Sequence, residues 1–450
     1  MSKIYESLFR RALFPLYETG LRRRGTIGYL EEYDRNQWLD REAIDALQWN
    51  KLQALMRHCW EHVPFYRRQW QALGMDSIED IRNRADYARL PTLSKQDITA
   101  NFADLLARPA PKGLMYKTTG GSTGVPLRFG YTRESYERRT AVMWRGYGWA
   151  GLAPGTRTLY LWGGALGGTP QAVLLKDRAY HALFHRRMLD CFAMNEANLA
   201  QYAASIARFR PRAIVSYVTS IVRLAQWINE SGRPIEGVRS VVGAAEALHD
   251  FHRPLIEAAF PGAEVFNTYG CREFMLIASE CEHHDGLHVN TDHLHVELLG
   301  AEPTLPSELA ITDLSNYGMP FLRYMNGDLA TAHVGGDCAC GRALPRLGQV
   351  VGRKLDMIRS VDGRLLPGEF FPHMLKDVAG IRKFQVIQVQ LDKLLIKVVP
   401  DAAFGETEER YVREQVSRML GNGVVVIIRR VDEIPSSPSG KHRVTISQVQ

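Results

Sequence analysis

The hydrophobic positions of this 450-residue chain fall into three regimes, each with its own period. Over the first hundred residues apolar side chains recur at helical spacing. Leu47, Leu52, Leu55, Met56 and Cys59 share one face, with Trp49 and Trp60 beside them. From about residue 115 short β-rich runs alternate with helical stretches. Thr158–Trp162 predicts a strand that ends at Gly163-Gly164. Ala213–Tyr217 predicts a second, followed by a helix through Leu224 and Trp227, and Val241–Gly243 a third, followed by a helix to Ala259. Past a break near Gly352-Arg353 the pattern restarts. Phe384–Val389 and Leu394–Val399 predict a strand pair, Glu406–Leu420 an amphipathic helix with Val412 and Val416 inward, and Val424–Ile428 a further strand. Strand-then-helix alternation argues for an α/β sheet, whose ligands bind at the carboxyl ends of its strands. The expected fold class is α/β, with parallel-rich sheets and helices in a large N-terminal domain and a small, mobile α+β C-terminal domain. The expected divisions are a helical part at 1–107, an α/β core at 108–351 and a small domain at 352–450.

Composition narrows the function classes. With 45% hydrophobic and 23% charged residues the chain is globular. No apolar run reaches the roughly 18 to 20 residues that span a bilayer. No signal peptide is visible, so the expected location is the cytoplasm. The net charge of +7 is basic, but the arginines are dispersed and no nucleic-acid motif accompanies them. Nucleic acid is therefore not an expected partner. The one dense cluster, Arg22-Arg23-Arg24, follows Ile4, Leu8, Phe9, Leu13, Phe14 and Leu16. Such a segment either packs on its own domain, the favoured reading, or lies on a membrane surface. Six cysteines are too few for a disulfide scaffold, and their clustering suggests a metal.

The densest chemical signal is the run Thr118, Thr119, Gly120, Gly121, Ser122, Thr123, Gly124, Val125, Pro126. Glycines let a backbone approach a ligand closely, and successive N–H groups with hydroxyls make a concave anion site. It is not a Walker loop, because no G-x-x-x-x-G-K-[ST] occurs in the chain. Four more motifs follow in order: Gly243-Ala244-Ala245-Glu246, Tyr269-Gly270-Cys271-Arg272-Glu273, Arg323–Asp328 with Gly352-Arg353 beyond it, and Pro438-Ser439-Gly440-Lys441. Together with Leu90–Lys95, these five motifs resemble the adenylate-forming superfamily of acyl- and aryl-CoA ligases. The likeness is to the phenylacetate–CoA ligase branch and its capsular-polysaccharide-associated members, and it covers essentially the whole chain.

The resemblance implies a reaction and a set of roles. A carboxylic acid attacks the α-phosphorus of ATP, pyrophosphate leaves, and the acyl-adenylate passes its acyl group to an acceptor. That acceptor is CoA, or an amine in an alternative amide-forming reading. A third reading is a nucleotide-binding scaffold without catalysis. The loop would hold the departing phosphates. Glu273 would help to hold Mg²⁺, Tyr269 would pack on adenine with Gly270 beside it in the nucleotide site, and Asp328 would accept from the ribose hydroxyls. Arg353 would assist at ribose or phosphate, and Lys441 would stand between the attacking carboxylate and the α-phosphate. The chain departs from the pattern at Val125, where many relatives have lysine, at Arg272 beside the metal glutamate, and at Leu355, where relatives often have a polar hinge residue. Arg272 is thereby placed to contact phosphate. Gly243, Ala244 and Glu246 are expected to help bind the nucleotide, and the acid pocket is expected between Trp162-Gly163-Gly164, Ser216-Tyr217 and Gly243–Glu246, with Trp162, Gly163, Tyr217 and Ala245 lining it. The partner expectations are a small carboxylic acid, its acceptor and a second copy of the chain.

A second constellation is metal-like. Cys338-Ala339-Cys340 is a tight C-x-C turn, and Cys281 opens Cys-Glu-His-His-Asp-Gly-Leu-His. Three cysteines and a histidine match a closed structural Zn²⁺ site. Some members of the resembled branch carry both elements, which implies His288 as the fourth ligand, ahead of His284.

Overall fold

The structure is a computed structural model. It describes residues 2–119, 127–163, 171–195, 197–246, 248, 250–300, 307–350, 358–361, 365–366, 370–375, 378–421, 423–434 and 444–449. Gly120, Gly121, Ser122, Thr123, Gly124, Arg353 and Lys441 lie outside the described residues, as do Val125, Leu355 and the rest of the Pro438–Lys441 motif.

A hairpin of β1 (Met115–Thr118) and β2 (Arg128–Tyr131) comes first among the strands. Eleven strands then build one sheet. They are β3 (Thr158–Trp162), β4 (Arg186–Asp190), β5 (Ala213–Tyr217), β6 (Ser240–Ala244), β7 (Glu264–Cys271) and β8 (Met275–Ser279). The remainder are β9 (Leu287–Val289), β10 (Leu294–Leu298), β11 (Ser307–Asp313), β12 (Tyr324–Ala332) and β13 (Arg346–Val350). Their order across the sheet is β10-β11-β12-β13-β9-β8-β7-β6-β5-β3-β4.

The two halves of this sheet obey different rules. β4, β3, β5, β6 and the first half of β7 are parallel. Parallel strands need crossovers that cover both faces, so they are apolar throughout. β5 and β6 are buried at every residue, and the helices Val218–Glu230 and His252–Ala259 cover them. This is the alternation legible in the sequence. Beyond Ala259, among the described residues, no further crossover helix joins strands of the sheet, and β7 to β13 pair antiparallel. β7 is the seam. Ser240–Gly243 of β6 pair parallel with its Glu264–Asn267, while its Thr268–Cys271 pair antiparallel with β8.

The helix Arg133–Trp149 presses on that seam. A Cβ added at Gly146 would meet Leu276 at 2.3 Å and Ser279 Oγ at 2.6 Å, so only glycine allows this approach. The helix buries two arginines, which must be paired to be tolerated. Arg145 donates to both oxygens of Asp292 at 2.8 Å and to Asn290 at 2.7 Å, and Arg139 donates to Asp313 at 2.5 Å. Burial alone would push both carboxyls up. The adjacent guanidinium more than reverses this and holds each below the usual carboxylate range.

The N-terminal helices, led by Arg41–His62, pack Leu52, Leu55, Met56 and Cys59 against the antiparallel half, as their spacing predicts. Leu93 joins β12 as an extra rung: its N–H donates to Arg323 O at 3.0 Å, and Met325 N–H donates to its carbonyl at 2.9 Å. The short strands β14 (Ile358–Arg359) and β15 (Leu365–Leu366) pair next. They precede a four-stranded sheet of β16 (Ile381–Gln390), β17 (Lys393–Pro400), β18 (Val425–Arg430) and β19 (Thr445–Ser447), ordered β18-β17-β16-β19. The helix Glu406–Leu420 buries Val412, Val416, Met419 and Leu420. This is the separate α+β C-terminal unit.

Candidate active site

The seam strand delivers the densest polar cluster at the carboxyl end of the parallel half. Gly270 is where β7 and β8 close. Its Cβ position would lie 2.0 Å from Met275 O, and Met275 itself is left-handed at φ 62°. The glycine of Tyr269-Gly270 is thus demanded by a tight hairpin, which in turn aims Arg272 and Glu273. Tyr269 Oη donates to Asp328 Oδ2 at 2.9 Å. Asn326 Nδ2 donates to Tyr269 Oη and to Asp328 Oδ2, both at 2.7 Å. Asn326 Oδ1 accepts from Asp328 N at 3.1 Å, which closes the turn. Tyr324 Oη donates to Glu273 Oε1 at 3.1 Å. Two motifs 50 residues apart therefore interlock through their hydroxyls and carboxylates. Burial, and then the neighbouring Asp328, pushes the Tyr269 hydroxyl well up, so it stays a donor. Burial, with Glu273 and Asp328 beside it, likewise keeps Cys271 a thiol. Glu273 is nearly buried and Arg272 is exposed, so the two neighbours face different media.

At the ends of β3, β5 and β6 the structure brings together Trp162, Gly163, Tyr217 and Gly243–Glu246. The rings of Trp162 and Tyr217 lie 4.6 Å apart, and Phe192 stands 5.6 Å from Tyr217. A Cβ at Gly163 would strike Phe192 at 2.5 Å. Gly243 O accepts from Thr268 Oγ1 at 2.8 Å, which ties β6 to the seam. Ala245 adopts φ 66°, a left-handed conformation that costs a residue with a side chain about 1 kcal/mol or more. Beyond it Glu246 turns back and accepts from Thr219 N at 2.7 Å, at the first turn of the helix Val218–Glu230. Burial pushes the Glu246 carboxyl up, and the Thr219 hydrogen bonds oppose the shift.

The glycine/hydroxyl loop springs from β1 and returns through β2. Thr119 forms its neck: Thr119 N donates to Leu127 O at 2.8 Å, and Leu127 N donates to Thr119 Oγ1 at 3.2 Å. Thr118 pairs with Arg128 just below. Lys117, one residue earlier, carries a feature absent from the sequence reading. Its ammonium sits over the rings of Tyr131 at 5.1 Å and Tyr136 at 5.2 Å. Among the described residues no carboxylate pairs with it. Burial, followed by the charges of Arg139 and Arg272, lowers its pKa to about 8.

Residues 358–448 match the CapK C-terminal domain family. The chain is 26% identical over 405 residues to the phenylacetate-coenzyme A ligase of Thermus thermophilus, covering 86% of each protein. To the phenylacetate-coenzyme A ligase of Escherichia coli it is 25% identical, over 90% of this chain and 94% of that one. Over most of its length the chain is similar to the phenylacetate–CoA ligases. Its fold is that of 2-hydroxyisobutyryl-CoA ligase, solved with 2-HIB-AMP and CoA in a thioesterification state, at a TM-score of 0.58, 21% identity and 92% coverage of both chains. The resemblance carried by five motifs is thereby borne out. So is the reading of an adenylate-forming ligase on an α/β fold with a separate C-terminal domain.

The chain also gathers its metal-like residues. Cys281, His288, Cys338 and Cys340 place their ligand atoms within 4.8 Å of one another. Cys281 Sγ and Cys338 Sγ are 3.6 Å apart, and Cys340 Sγ is 3.4 Å from His288 Nε2. A disulfide holds its sulfurs at about 2.05 Å. Two thiolates at the ends of one edge of a tetrahedron around Zn²⁺, with Zn–S about 2.3 Å, lie about 3.8 Å apart. His283 N and Arg342 N donate to the sulfurs of Cys281 and Cys340 at 3.5 and 3.4 Å. His288 Nδ1 bonds Leu344 O at 3.2 Å, which leaves Nε2 for the cluster. Burial lowers its pKa to about 4, so the imidazole is neutral. The donor set fits a closed structural zinc site. His284 lies apart, with Nδ1 3.2 Å from Glu280 and its ring on Phe266.

Sequence reasoning missed Lys117, Tyr324, Asn326 and Phe192 as members of these clusters. Tyr324 and Asn326 lay within the Arg323–Asp328 motif and were readable there. Lys117 and Phe192 gave no local signal.

Proposed function

We propose that this protein activates a small carboxylic acid, aryl or apolar, with ATP, and passes the acyl group to CoA. The observation that carries the reading is the interlocked Tyr269–Asn326–Asp328 knot beside Glu273 and Tyr324, at the carboxyl end of a parallel sheet. A nucleoside needs a flat face and an ionised acceptor within one ribose of each other. Tyr269 and Asp328 are in direct hydrogen-bond contact. Mg²⁺, when bound, would neutralise phosphate charge, and Glu273 is the carboxylate that would hold it. The carboxylate oxygen of the acid attacks the α-phosphorus, an acyl-phosphate bond forms, and the bond to pyrophosphate breaks. The loop backbone from Gly120 to Gly124 and the Thr118 and Ser122 hydroxyls take the departing charge. Arg272 and Lys117, whose charges act on each other, would add cations to the departing phosphates. Arg353 would serve at ribose or phosphate, and Lys441 at the α-phosphate. The acid lies against Trp162 and Tyr217, and residues 352–450 form the small domain that carries Lys441.

Acid-dependent pyrophosphate release, measured across aryl, fatty and hydroxy acids with and without CoA, tests this reading. Release with at least one aryl or apolar acid, with a thioester formed when CoA is present, is expected. Absence of release with every acid would overturn it.

Lys117 supplies a pH prediction. Its ammonium is present below about pH 8 and lost above it. If the cation helps to hold ATP phosphates, the KM for ATP rises as pH climbs past that value. Lys117→Met is expected to raise this KM by about 10-fold at neutral pH, with a smaller effect on kcat, and to abolish the rise. Titration from pH 6.5 to 9.5 at saturating acid checks it. An unchanged profile in the variant would assign the wild-type rise to another group.

A further inference from the structure

The first residues of the chain have two faces, and only one is used by the domain. Ser2–Leu8 is α-helical, and Phe9–Leu13 and Leu16–Leu21 continue as π-helical turns. The inward face seats Phe9 and Phe14 on Phe184, with ring centroids 5.1 and 6.0 Å away. Both acidic side chains of the segment also turn inward. Glu6 pairs with Arg212 at 3.0 Å, and Glu18 with Arg24 at 3.3 Å.

The outward face is apolar and cationic. Ile4, Leu8, Ala12 and Leu16 recur every four residues and are all exposed, as is Leu21. The large ones show 76%, 51%, 68% and 73% of their surface, in chain order. Between and beyond them Arg10, Arg11, Arg22 and Arg23 are exposed. The carboxylates that would offset these arginines are consumed inside. A water-facing helix does not ordinarily place its large apolar residues on the outer row. An exposed apolar row flanked by unneutralised arginines is the surface that an anionic lipid interface fits. A second copy fits less well, because a two-fold contact on this face would oppose arginine to arginine. No helix among the described residues is long and apolar enough to cross a membrane, so contact would be peripheral.

We propose that the N-terminal segment is an interfacial anchor that docks this protein on an anionic lipid surface. Ile4, Leu8, Leu16 and Leu21 enter the boundary between headgroups and acyl chains, and the four arginines meet lipid phosphates. The inference is independent of the acid and of the ligase chemistry.

The test is co-sedimentation of the full chain with vesicles of phosphatidylcholine alone and of about three parts phosphatidylcholine to one part phosphatidylglycerol. The wild type should sediment with the anionic vesicles, lose most binding at high salt, and bind neutral vesicles weakly. The Leu8→Glu/Leu16→Glu and Arg10→Gln/Arg11→Gln double variants should each bind at least about 10-fold more weakly. These side chains are exposed, and Arg10 is tied down by one hydrogen bond from Nε to Glu6 O, so thermal melting should change little, and a matching melt shows that lost binding is not lost folding. Failure of the wild type to sediment with anionic vesicles would overturn the proposal, as would variants that bind like wild type. Light scattering that shows a wild-type dimer split by Leu8→Glu/Leu16→Glu, without vesicle binding, would instead make this face a self-interface.

Discussion

Lys441→Ala is expected to depress acyl-adenylate formation by at least about 100-fold while leaving ATP affinity within a few-fold. The two parts of this prediction have separate origins. In the proposed reaction an anionic carboxylate closes on an anionic α-phosphate, and negative charge crowds at one point as the bond forms. An ammonium is a compact charge suited to that point. Its effect is greatest in the transition state, so its removal acts on kcat. In the same proposal the ground-state hold on the nucleotide would fall to the Tyr269–Asp328 knot and to Lys117 and Arg272, all remote in sequence from Lys441. Pyrophosphate release with the acid, together with nucleotide affinity measured by calorimetry, separates the two. A variant releasing pyrophosphate at near wild-type rate would remove Lys441 from the chemistry.

Cys338→Ser is expected to cost the protein its zinc, about one ion per chain, and to lower Tm by at least about 8 °C. The cluster joins Cys281 and His288, before and within β9, to the Cys338–Cys340 turn that leads into β13. A structural metal contributes its binding energy to folding, because the unfolded chain holds no such cage. Cys340→Ser should behave alike. His284→Ala should keep the metal, since that ring packs tilted against Phe266 and bonds Glu280 instead. Elemental analysis and calorimetric melting provide the readings. A metal-free wild-type protein would end the assignment.

What the sequence yielded depended on how far apart the interacting residues lie. β3, β5, the helix Glu406–Leu420 and the paired strands of the C-terminal sheet were legible, because each is a local run with one period. The Cys/His set was legible from ligand types and spacing, although choosing His288 over His284 leaned on the family likeness. β9 has three residues, too few for any period. β4 reads Arg-Arg-Met-Leu-Asp, since an edge strand need not be apolar on both faces. Lys117 was missed because its character comes from Tyr131, Tyr136, Arg139 and Arg272, which belong to three other elements. Thr119 was read as a phosphate donor. The structure engages its oxygen as the acceptor from Leu127 N in the neck of the hairpin.

The sheet order carries a consequence for how the molecule assembles. β13 lies between β12 and β9, with Arg346 opposite His288 and Ala332 opposite Leu347. Its pairing with β12 is local, across the connection from Ala332 to Arg346, whereas its pairing with β9 must close the loop that holds β10 to β12. Closing that loop is the non-local step, and steps of this kind are slow. The Cys/His cluster gathers the two ends of that loop, directly before β13 and at β9. With metal present the two strands would be held at high effective concentration. Refolding with zinc should therefore outpace refolding with chelator, and the chelated chain should pass through an intermediate whose β9 and β13 amides exchange freely while β5 and β6 are already protected.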